Sequence, residues 1–511
     1  MSVAPAHDPA TTLRVLSPAN GELVGEVGID SAEAVRAAVA RARLAQPAWG
    51  ARSVAERASI LLAVRAKILA NTDAIVENAA AENGKPRHEG LLHEVMTQLE
   101  LISYFAAEAE RILAPQPIPL RLLKQRTSYI HYRPRGVAAI IAPGNFPNQL
   151  GFGGAAMALL AGNTVVLKPS EFTPLSAALL RRLYIEAGVP EDCLQVVNGY
   201  GDVGAALIDA GVDFVEFTGS VATGKKVAAM CGERLIPCVL ELGGKAPALV
   251  MEDADNERTL NAVLWGGFAN AGQVCASVER LVVHEKVYDS FVAKFVARVQ
   301  ALRVGDATRS SEVDVGPLVN QRQLDIVERL VADAVAKGAT VACGGKRVEG
   351  AGTFFEPTVL LGVTPDMDIV NHETFGPVVP VMKVGSEAEA ILEANRSHLG
   401  LLAYVFTRDG TRGRRMAEQI RCGTVMVNDV IATAAAAETP WAGLKHSGIG
   451  VAHSDDGLRH MCEARHVNYD SVPWLSRELW WYPYHESNLG LLKRLLAFLY
   501  GSGFGRFFPR P

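Results

Sequence analysis

No run of about eighteen apolar residues occurs in this chain, although 49% of its 511 residues are hydrophobic, so the sequence offers no bilayer-spanning helix. Residues 1–10 lack a basic stretch followed by an apolar one, so no secretory leader is expected and a cytoplasmic location is. Charge of one sign is missing too. The 50 basic and 55 acidic residues are well mixed and sum to −5, which leaves no basic footprint for nucleic acid. Cysteine is sparse and odd in number, seven in all, with no C-x-x-C and no histidines at zinc spacing. Reduced thiols are therefore expected, with no disulfide framework and no metal.

What is present is length enough for two or three cored domains and a regular alternation of elements. Asp30-Ser-Ala-Glu33 caps a helix running toward Trp49, and Ser53-Val-Ala-Glu56 is a capping box opening a second helix through about Ala81. A third helical pattern covers roughly Glu89 to Leu113, and prolines 115, 117 and 119 end it. Gln125 to Tyr132 reads as a strand. Val137 to Ala142 is a continuous apolar run of the kind a doubly covered parallel sheet demands. From there strand and helix alternate: helix 150–162, strand Thr164–Leu167, helix Pro174–Gly188, strand Leu194–Val197, a helix from Val203, strand Phe214–Phe217. This predicts an open parallel α/β nucleotide-binding domain. A second α/β pattern follows to about Asn428, with helices 257–271, 287–301, 320–337 and 386–395 and strands at Leu281–His284, Thr358–Leu361 and near Val341, Tyr404 and Val425.

Three stretches carry chemistry. Cys275 lies between a Gly-Gln turn and the small run Ala276-Ser-Val278, where a thiol can stand at a loop edge, and cysteine is nucleophilic even at an ordinary pKa. Glu241 sits in the apolar run Val239-Leu-Glu-Leu242, where desolvation raises a carboxyl toward a useful base. Two glycine turns compete as a phosphate cradle. Gly199-Tyr-Gly-Asp-Val-Gly204 matches G-x-G-x-x-G, and Phe217-Thr-Gly-Ser220-Val-Ala-Thr-Gly224 is also a strand, a tight turn and a helix N-terminus.

Taken together and in order, Pro143-Gly-Asn145-Phe-Pro147, Lys168-Pro-Ser-Glu171, Phe217-Thr-Gly-Ser220, Glu241-Leu-Gly-Gly-Lys245, Gly272-Gln-Val-Cys275, Glu373-Thr-Phe375-Gly-Pro377 and the segment from Pro440 to Ser447 resemble the aldehyde dehydrogenase superfamily over roughly residues 12–470. The resemblance implies an enzyme in which Cys275 attacks an aldehyde, Asn145 and the Cys275 amide hold the oxyanion, and Glu241 activates water against the resulting thioester. It implies NAD rather than NADP. Phe217, Thr218, Gly219, Ser220 and Gly224 form the phosphate turn, Lys168 and Glu171 hold the adenosine ribose, Glu373 holds the nicotinamide ribose, and Phe375 packs the ring. A carboxylate at Glu171 would repel a 2′-phosphate. The same resemblance demotes Gly199–Gly204 to a structural turn.

Domain limits follow from the same reading: 1–121 with 138–244 for the dinucleotide, 245–438 for catalysis, 122–137 with 460–472 as a small β arm joining subunits into a homodimer or homotetramer, and 473–511 as an aromatic, amphipathic tail. In that tail Leu492, Leu495, Leu496 and Leu499 share a face, and Lys493, Arg494, Arg506 and Arg510 supply charge. It reads either as a helix packed on a subunit or as an interfacial membrane contact. Ala269, Val274, Ala276, Leu150, Gly153 and Trp441 suggest an apolar tunnel, and 430–437 holds no Arg or Lys. The expected substrate is thus a medium or long aliphatic, terpenoid or aromatic aldehyde, resembling that of the carotenoid-dialdehyde subgroup. A succinic-semialdehyde enzyme and a coenzyme-A-acylating enzyme are the alternatives, the second disfavoured by Glu241. After Gly450, many relatives continue Arg-Glu where this chain has Val451-Ala452.

Overall fold

The strand Val137–Ile141 shows in miniature how the first layer is built: Val137 and Ala139 point into one apolar cluster and Ala138 and Ile140 into another, as the two-residue period of a strand requires. In the computed structural model, which describes residues 11–501, this strand is central in a six-stranded sheet ordered Gly448–Ile449, Cys238–Glu241, Phe214–Thr218, Val137–Ile141, Thr164–Lys168, Leu194–Val196. All neighbours run parallel except the short Gly448–Ile449 edge. Residues of helices Ala32–Gly50, Gly201–Asp209 and Val221–Arg234 belong to the cluster on one face. Residues of Val54–Ala70, Thr97–Ile112, Pro147–Leu160 and Pro174–Glu186 belong to the other. The chain order leaves Val137–Ile141 toward both sides, so the loops after Val137–Ile141 and Phe214–Thr218 diverge at a switch point, the usual place for a ligand in open α/β sheets.

A seven-stranded sheet forms the second layer system, ordered Thr340–Cys343, Thr358–Leu361, Val378–Val384, Val278–His284, Ala246–Val250, Leu402–Phe406, Thr424–Val427, again parallel but for its first edge strand. The fold is thus the α/β class expected. A three-stranded antiparallel sheet pairs Cys462–Asp470 with Arg126–Pro134 along nine residues and adds Gln116–Pro117. Here Arg126 bridges Asp470 and Glu478, tying the start of the tail to this sheet.

The caps are as expected: Ser31 accepts from the Ala34 amide, and Ser53 with Glu56 closes a reciprocal capping box. Several expectations fail for physical reasons. The helix expected from Ser53 to Ala81 is two helices, because the Asn71 side chain bonds back to the Lys67 carbonyl and its backbone leaves helical angles. The pattern from Glu89 to Leu113 contains a π-helical stretch, Gly90–Met96, which amphipathic periodicity cannot distinguish from an α-helix. The helix expected over 257–271 stops at Phe268, and Asn270 and Ala271 take left-handed angles. Strands Thr12–Leu16, Leu23–Gly28, Ala246–Val250 and Val378–Val384 escaped the sequence reading. In the tail, Glu486–Leu496 is helical and buries no side chain. Arg506 and Arg510 lie outside the described residues. No helix among the described residues is long and apolar enough to cross a membrane.

Candidate active site

Cys275 follows a loop that the sequence makes hard to form and the fold holds in place. Three consecutive residues, Asn270, Ala271 and Gly272, have φ of 50°, 56° and 72°. The first two are strained for residues with a Cβ, by an amount on the order of 1–3 kcal/mol each, so the surroundings must hold them. They do. Glu89, on the short helix before the π-helical stretch, accepts the Asn270 amide at 2.8 Å, and the Asn270 side chain donates to the Asn145 carbonyl at 3.1 Å. Gln273 binds the Asn270 carbonyl at 3.0 Å and accepts the Val319 amide at 2.8 Å. At Gly272 a Cβ would stand 2.2 Å from the Gly376 carbonyl, so no other residue fits this approach.

The Glu241-Leu-Gly-Gly-Lys245 stretch is explained residue by residue. A Cβ on Gly243 would meet the Glu373 carboxylate at 2.3 Å, and one on Gly244 would meet the Cys275 carbonyl at 2.0 Å. The Gly244 amide donates to Glu373 at 3.0 Å. Lys245 is fully buried and donates to Glu279 at 2.7 Å and to the Thr374 hydroxyl at 3.0 Å, while Glu279 accepts the amides of Thr374 and Phe375. One buried ion pair thereby pins the Glu373-Thr374-Phe375 segment against the loop of Cys275. Ser447 completes the brace, its hydroxyl donating to the Gly243 carbonyl at 2.7 Å.

Asn145 is held from the other side. Its carbonyl accepts from Lys85 at 2.7 Å, and its side-chain amide donates one N–H to the Gln273 carbonyl at 3.0 Å, leaving the second N–H free to serve a ligand. Lys85 forms a fully buried pair with Glu94, whose carboxylate also accepts the Asn148 amide at the start of helix Pro147–Leu160. Lys85, Glu89 and Glu94 were not singled out from sequence. A charged residue in a helical pattern reads as a solvated face, and only the tertiary structure shows these three buried.

Two cavities meet at Cys275 and Glu241. The first, of about 410 Å³, is walled mainly by apolar side chains, among them Phe146, Leu150, Met157, Val274 and Trp441. Its mouth carries exposed Leu92, Met96 and Trp265. The second, of about 370 Å³, takes in Asn145, Thr218, Gly219, Ser220, Glu373 and Phe375. Cys275, Glu241, Leu150, Thr218 and Leu242 belong to the walls of both. Of the tunnel residues expected, Ala269, Val274, Ala276, Leu150 and Trp441 line the first cavity, whereas Gly153 faces Leu101 and Gln98 instead.

The second cavity fits a dinucleotide. Helix Val221–Arg234 begins at its edge, with Ser220 as N-cap accepting the Thr223 amide, and helix geometry leaves the amides of Val221 and Ala222 without intrahelical partners. Gly219, Gly243 and Gly224 permit close packing around the turn: a Cβ on Gly219 would stand 2.6 Å from the Phe217 ring, one on Gly243 2.3 Å from Glu373 and one on Gly224 2.3 Å from Leu242. Lys168, the last residue of the Thr164–Lys168 strand, and Glu171, just past it, lie off this cavity, and their neighbour Phe172 reaches its wall. Gly204 abuts the Lys168 side chain, so the Gly199–Gly204 turn opens the helix Gly201–Asp209 beside it.

Electrostatics correct one expectation. Burial, with the Glu373 and Glu241 carboxyls beside it, pushes the Cys275 thiol up to about 12, so it rests protonated rather than partly ionised. Burial, reinforced by Glu216, holds Glu241 well above the carboxylate range, and Trp441 offsets this only in part, from outside hydrogen-bond geometry. Burial also raises Glu373 to about 8 and keeps His93 and His453, on the first cavity, neutral at about 3 and about 4.

Comparison with known proteins gives a consistent picture. The sequence profile described as "Aldehyde dehydrogenase family" matches residues 5–467. The chain is 36% identical over 495 residues to the 4,4'-diapolycopene aldehyde oxidase of Methylomonas sp, covering 96% of this chain and 92% of that protein. It is 38% identical over 467 residues to the mitochondrial succinate-semialdehyde dehydrogenase of Mus musculus, covering 90% and 88%. Among solved structures, an NAD+ complex of an aldehyde dehydrogenase from Bacillus cereus superposes with a TM-score of 0.86 at 35% identity, covering 90% of this chain and 93% of that one. An E. coli NADP-dependent enzyme superposes with a TM-score of 0.86 at 36% identity, covering 90% and 95%.

Proposed function

Because the chain belongs to the aldehyde dehydrogenase family, we propose that it oxidises an apolar aldehyde to the carboxylic acid with NAD, through a thioester on Cys275. One observation carries this reading: Cys275 and Glu241 stand on the wall common to a strongly apolar cavity and a less apolar, dinucleotide-fitting one. The aldehyde enters the first and the cofactor the second.

The chemistry follows from the residues. Cys275 must lose its proton to attack, because the thiolate and not the thiol is the nucleophile. The oxyanion that forms is held by the free Asn145 N–H and the Cys275 amide; losing one such donor costs about 2.7–4 kcal/mol. Thr218, Gly219, Ser220, Glu373 and Phe375 line the second cavity and would hold NAD there, with Phe217 and Gly224 shaping the turn and Lys168 and Glu171 as the adenosine-ribose contacts, and the cofactor would supply the hydride acceptor. Glu241 then takes a proton from water as it attacks the thioester, and the acid leaves. Glu171 at the ribose supports NAD over NADP, and Glu171→Ala should narrow the ratio of kcat/KM for the two cofactors.

The substrate class rests on the first cavity. Among the described residues no lysine or arginine lines it, its two histidines are uncharged, and its mouth is rimmed by Leu92, Met96 and Trp265. A distal carboxylate would find no counter-ion there. Steady-state comparison of decanal, benzaldehyde and succinic semialdehyde should place the last at least tenfold below the first in kcat/KM; a preference for it refutes the substrate assignment.

A second reading concerns where the enzyme works. Trp474, Trp480, Trp481, Tyr482, Tyr484, Leu489, Leu491, Leu495 and Leu496 are exposed beside Lys493 and Arg494. This surface suits a membrane interface, from which a lipophilic aldehyde would come. Deleting residues 486–511 should abolish co-sedimentation with anionic liposomes, and unchanged partitioning removes the idea. The open edge of the Cys462–Asp470 strand supports assembly into a homodimer or homotetramer, which sedimentation velocity tests.

A further inference from the structure

Glu216 has no part in the chemistry above, yet it is a carboxyl inside the substrate cavity. It lies on the Phe214–Thr218 strand, which runs parallel to Cys238–Glu241 with Thr218 opposite Glu241. Side chains two apart on a strand share a face, so Glu216, Thr218 and Glu241 project to the same side, toward helix Pro147–Leu160. Glu216 is able to lie there because residue 154 is glycine: a Cβ on Gly154 would stand 2.7 Å and 2.8 Å from the two carboxylate oxygens. Neither oxygen of Glu241 has a hydrogen-bond partner among the described residues, and burial alone shifts Glu216, with no hydrogen bond or charge among the described residues offsetting it. Two carboxyls facing one apolar enclosure without a counter-ion are costly as anions, and each charge makes the other costlier.

We propose that Glu216 is a positioning residue for the general base: its carboxyl faces the same cavity from the neighbouring strand, and its charge sets the pH at which Glu241 can deprotonate the hydrolytic water. This deepens the assignment of Glu241 above and rests on it. In the step, the water oxygen bonds to the thioester carbon and its proton goes to Glu241. That proton leaves Glu241 to water in the cavity, as the carbon–sulfur bond breaks and the electron pair returns to Cys275. Nothing is oxidised or reduced.

The other titratable groups around the pair do not compete for this role. His93, from the π-helical stretch, and His453, ahead of helix Ser454–His460, are neutral; Cys275 rests as a thiol; helix Pro147–Leu160 presents Gln149, Leu150, Gly154 and Met157 to the cavity and no charge. Glu373 faces Cys275 from the second cavity. Burial raises Glu216 to about 7, and its charge in turn raises Glu241.

The test is the pH profile of kcat, with the pre-steady-state burst of reduced cofactor recorded beside it. Glu216→Gln keeps the shape and removes the charge, so Glu241 ionises more easily and the acid limb moves down by about one pH unit. The plateau falls roughly two- to fivefold because a less basic carboxylate is a weaker base. The burst rate and the aldehyde KM stay within twofold, and Glu216→Asp keeps the limb of the unmodified protein. A limb that does not move in Glu216→Gln overturns the proposal. So does a rise of more than tenfold in aldehyde KM with an unmoved limb, which would make Glu216 a substrate contact. Should Glu216→Gln fold poorly, Gly154→Ala, which favours its helix but crowds the carboxyl, must shift the limb by at least half a unit, and no shift overturns the idea equally. Glu241→Gln separates this from the underlying assignment: a full burst without turnover upholds Glu241 as the deacylation base whatever Glu216 does.

Discussion

Gly244→Ala is the substitution for which the structure gives the most direct magnitude. A methyl at 244 would stand 2.0 Å from the Cys275 carbonyl oxygen, where real contacts do not fall below 3.0 Å, so the two backbones must separate by about 1 Å. Neither can yield cheaply. The Gly244 amide is bonded to Glu373, and Cys275 follows the strained Asn270–Gly272 turn, itself held by Glu89 and Gln273. The displacement therefore falls on the sulfur relative to Glu241 and Asn145, and a misplacement of about 1 Å at a reacting atom costs roughly a hundredfold in rate. Stopped-flow absorbance of reduced cofactor in the first turnover, at saturating decanal and NAD, should show the burst slowed by about that factor. Gly232→Ala is the control. It lies inside helix Val221–Arg234 with open space around it, so it should leave the burst alone and stabilise the fold by roughly 0.5–1 kcal/mol. A Gly244→Ala enzyme that bursts within threefold of the unmodified one refutes the claim that this contact positions the nucleophile.

Other outcomes follow from the same coordinates. Cys275→Ala should abolish both burst and turnover while leaving the melting temperature within a few degrees, and residual oxidation of decanal would show another nucleophile. Lys85→Met strands the buried Glu94 carboxylate and should cost about 3–5 kcal/mol in urea unfolding, with the burst slowed as well because Asn145 loses its anchor. The Glu216 carboxyl, raised in the folded state from 4.5 to about 7, favours the fold at low pH. That contribution is fully present below pH 4.5 and lost as pH rises to about 7. Glu216→Gln should therefore gain stability relative to the unmodified chain on going from pH 4.5 to pH 8, by up to roughly 3 kcal/mol at 1.36 kcal/mol per unit. Equal pH slopes in urea titrations of the two proteins would contradict it.

Much of the fold was legible because its strongest signals are local. Val137–Ile141 is apolar at every position because both its faces are covered, and Ser53 and Glu56 cap a helix by contacts three residues apart. The breaks were not legible. Asn71 interrupts a helix through one side-chain bond to its own backbone, the π-helical stretch keeps an amphipathic pattern, and Ala246–Val250 is short and hidden in the run after Lys245. Cys275, Glu241 and Asn145 could be named in advance because their motifs recur in order along the chain. Lys85, Glu89, Glu94 and Glu216 could not: each is an ordinary charged residue whose meaning depends on being buried.

By itself the sequence determined the α/β class, the family, and which sulfur, carboxyl and amide to look for, since those depend on residue type and spacing. Only the tertiary structure decided that Cys275 rests protonated, that Glu241 has a second carboxyl for company, and that two cavities share the wall formed by Cys275 and Glu241. The reason is that pKa and cavity shape depend on what lies within a few ångströms in space, and here the neighbours of Cys275 come from the glycines at 243 and 244, the segment at 373–375 and the loop at 145, far apart along the chain.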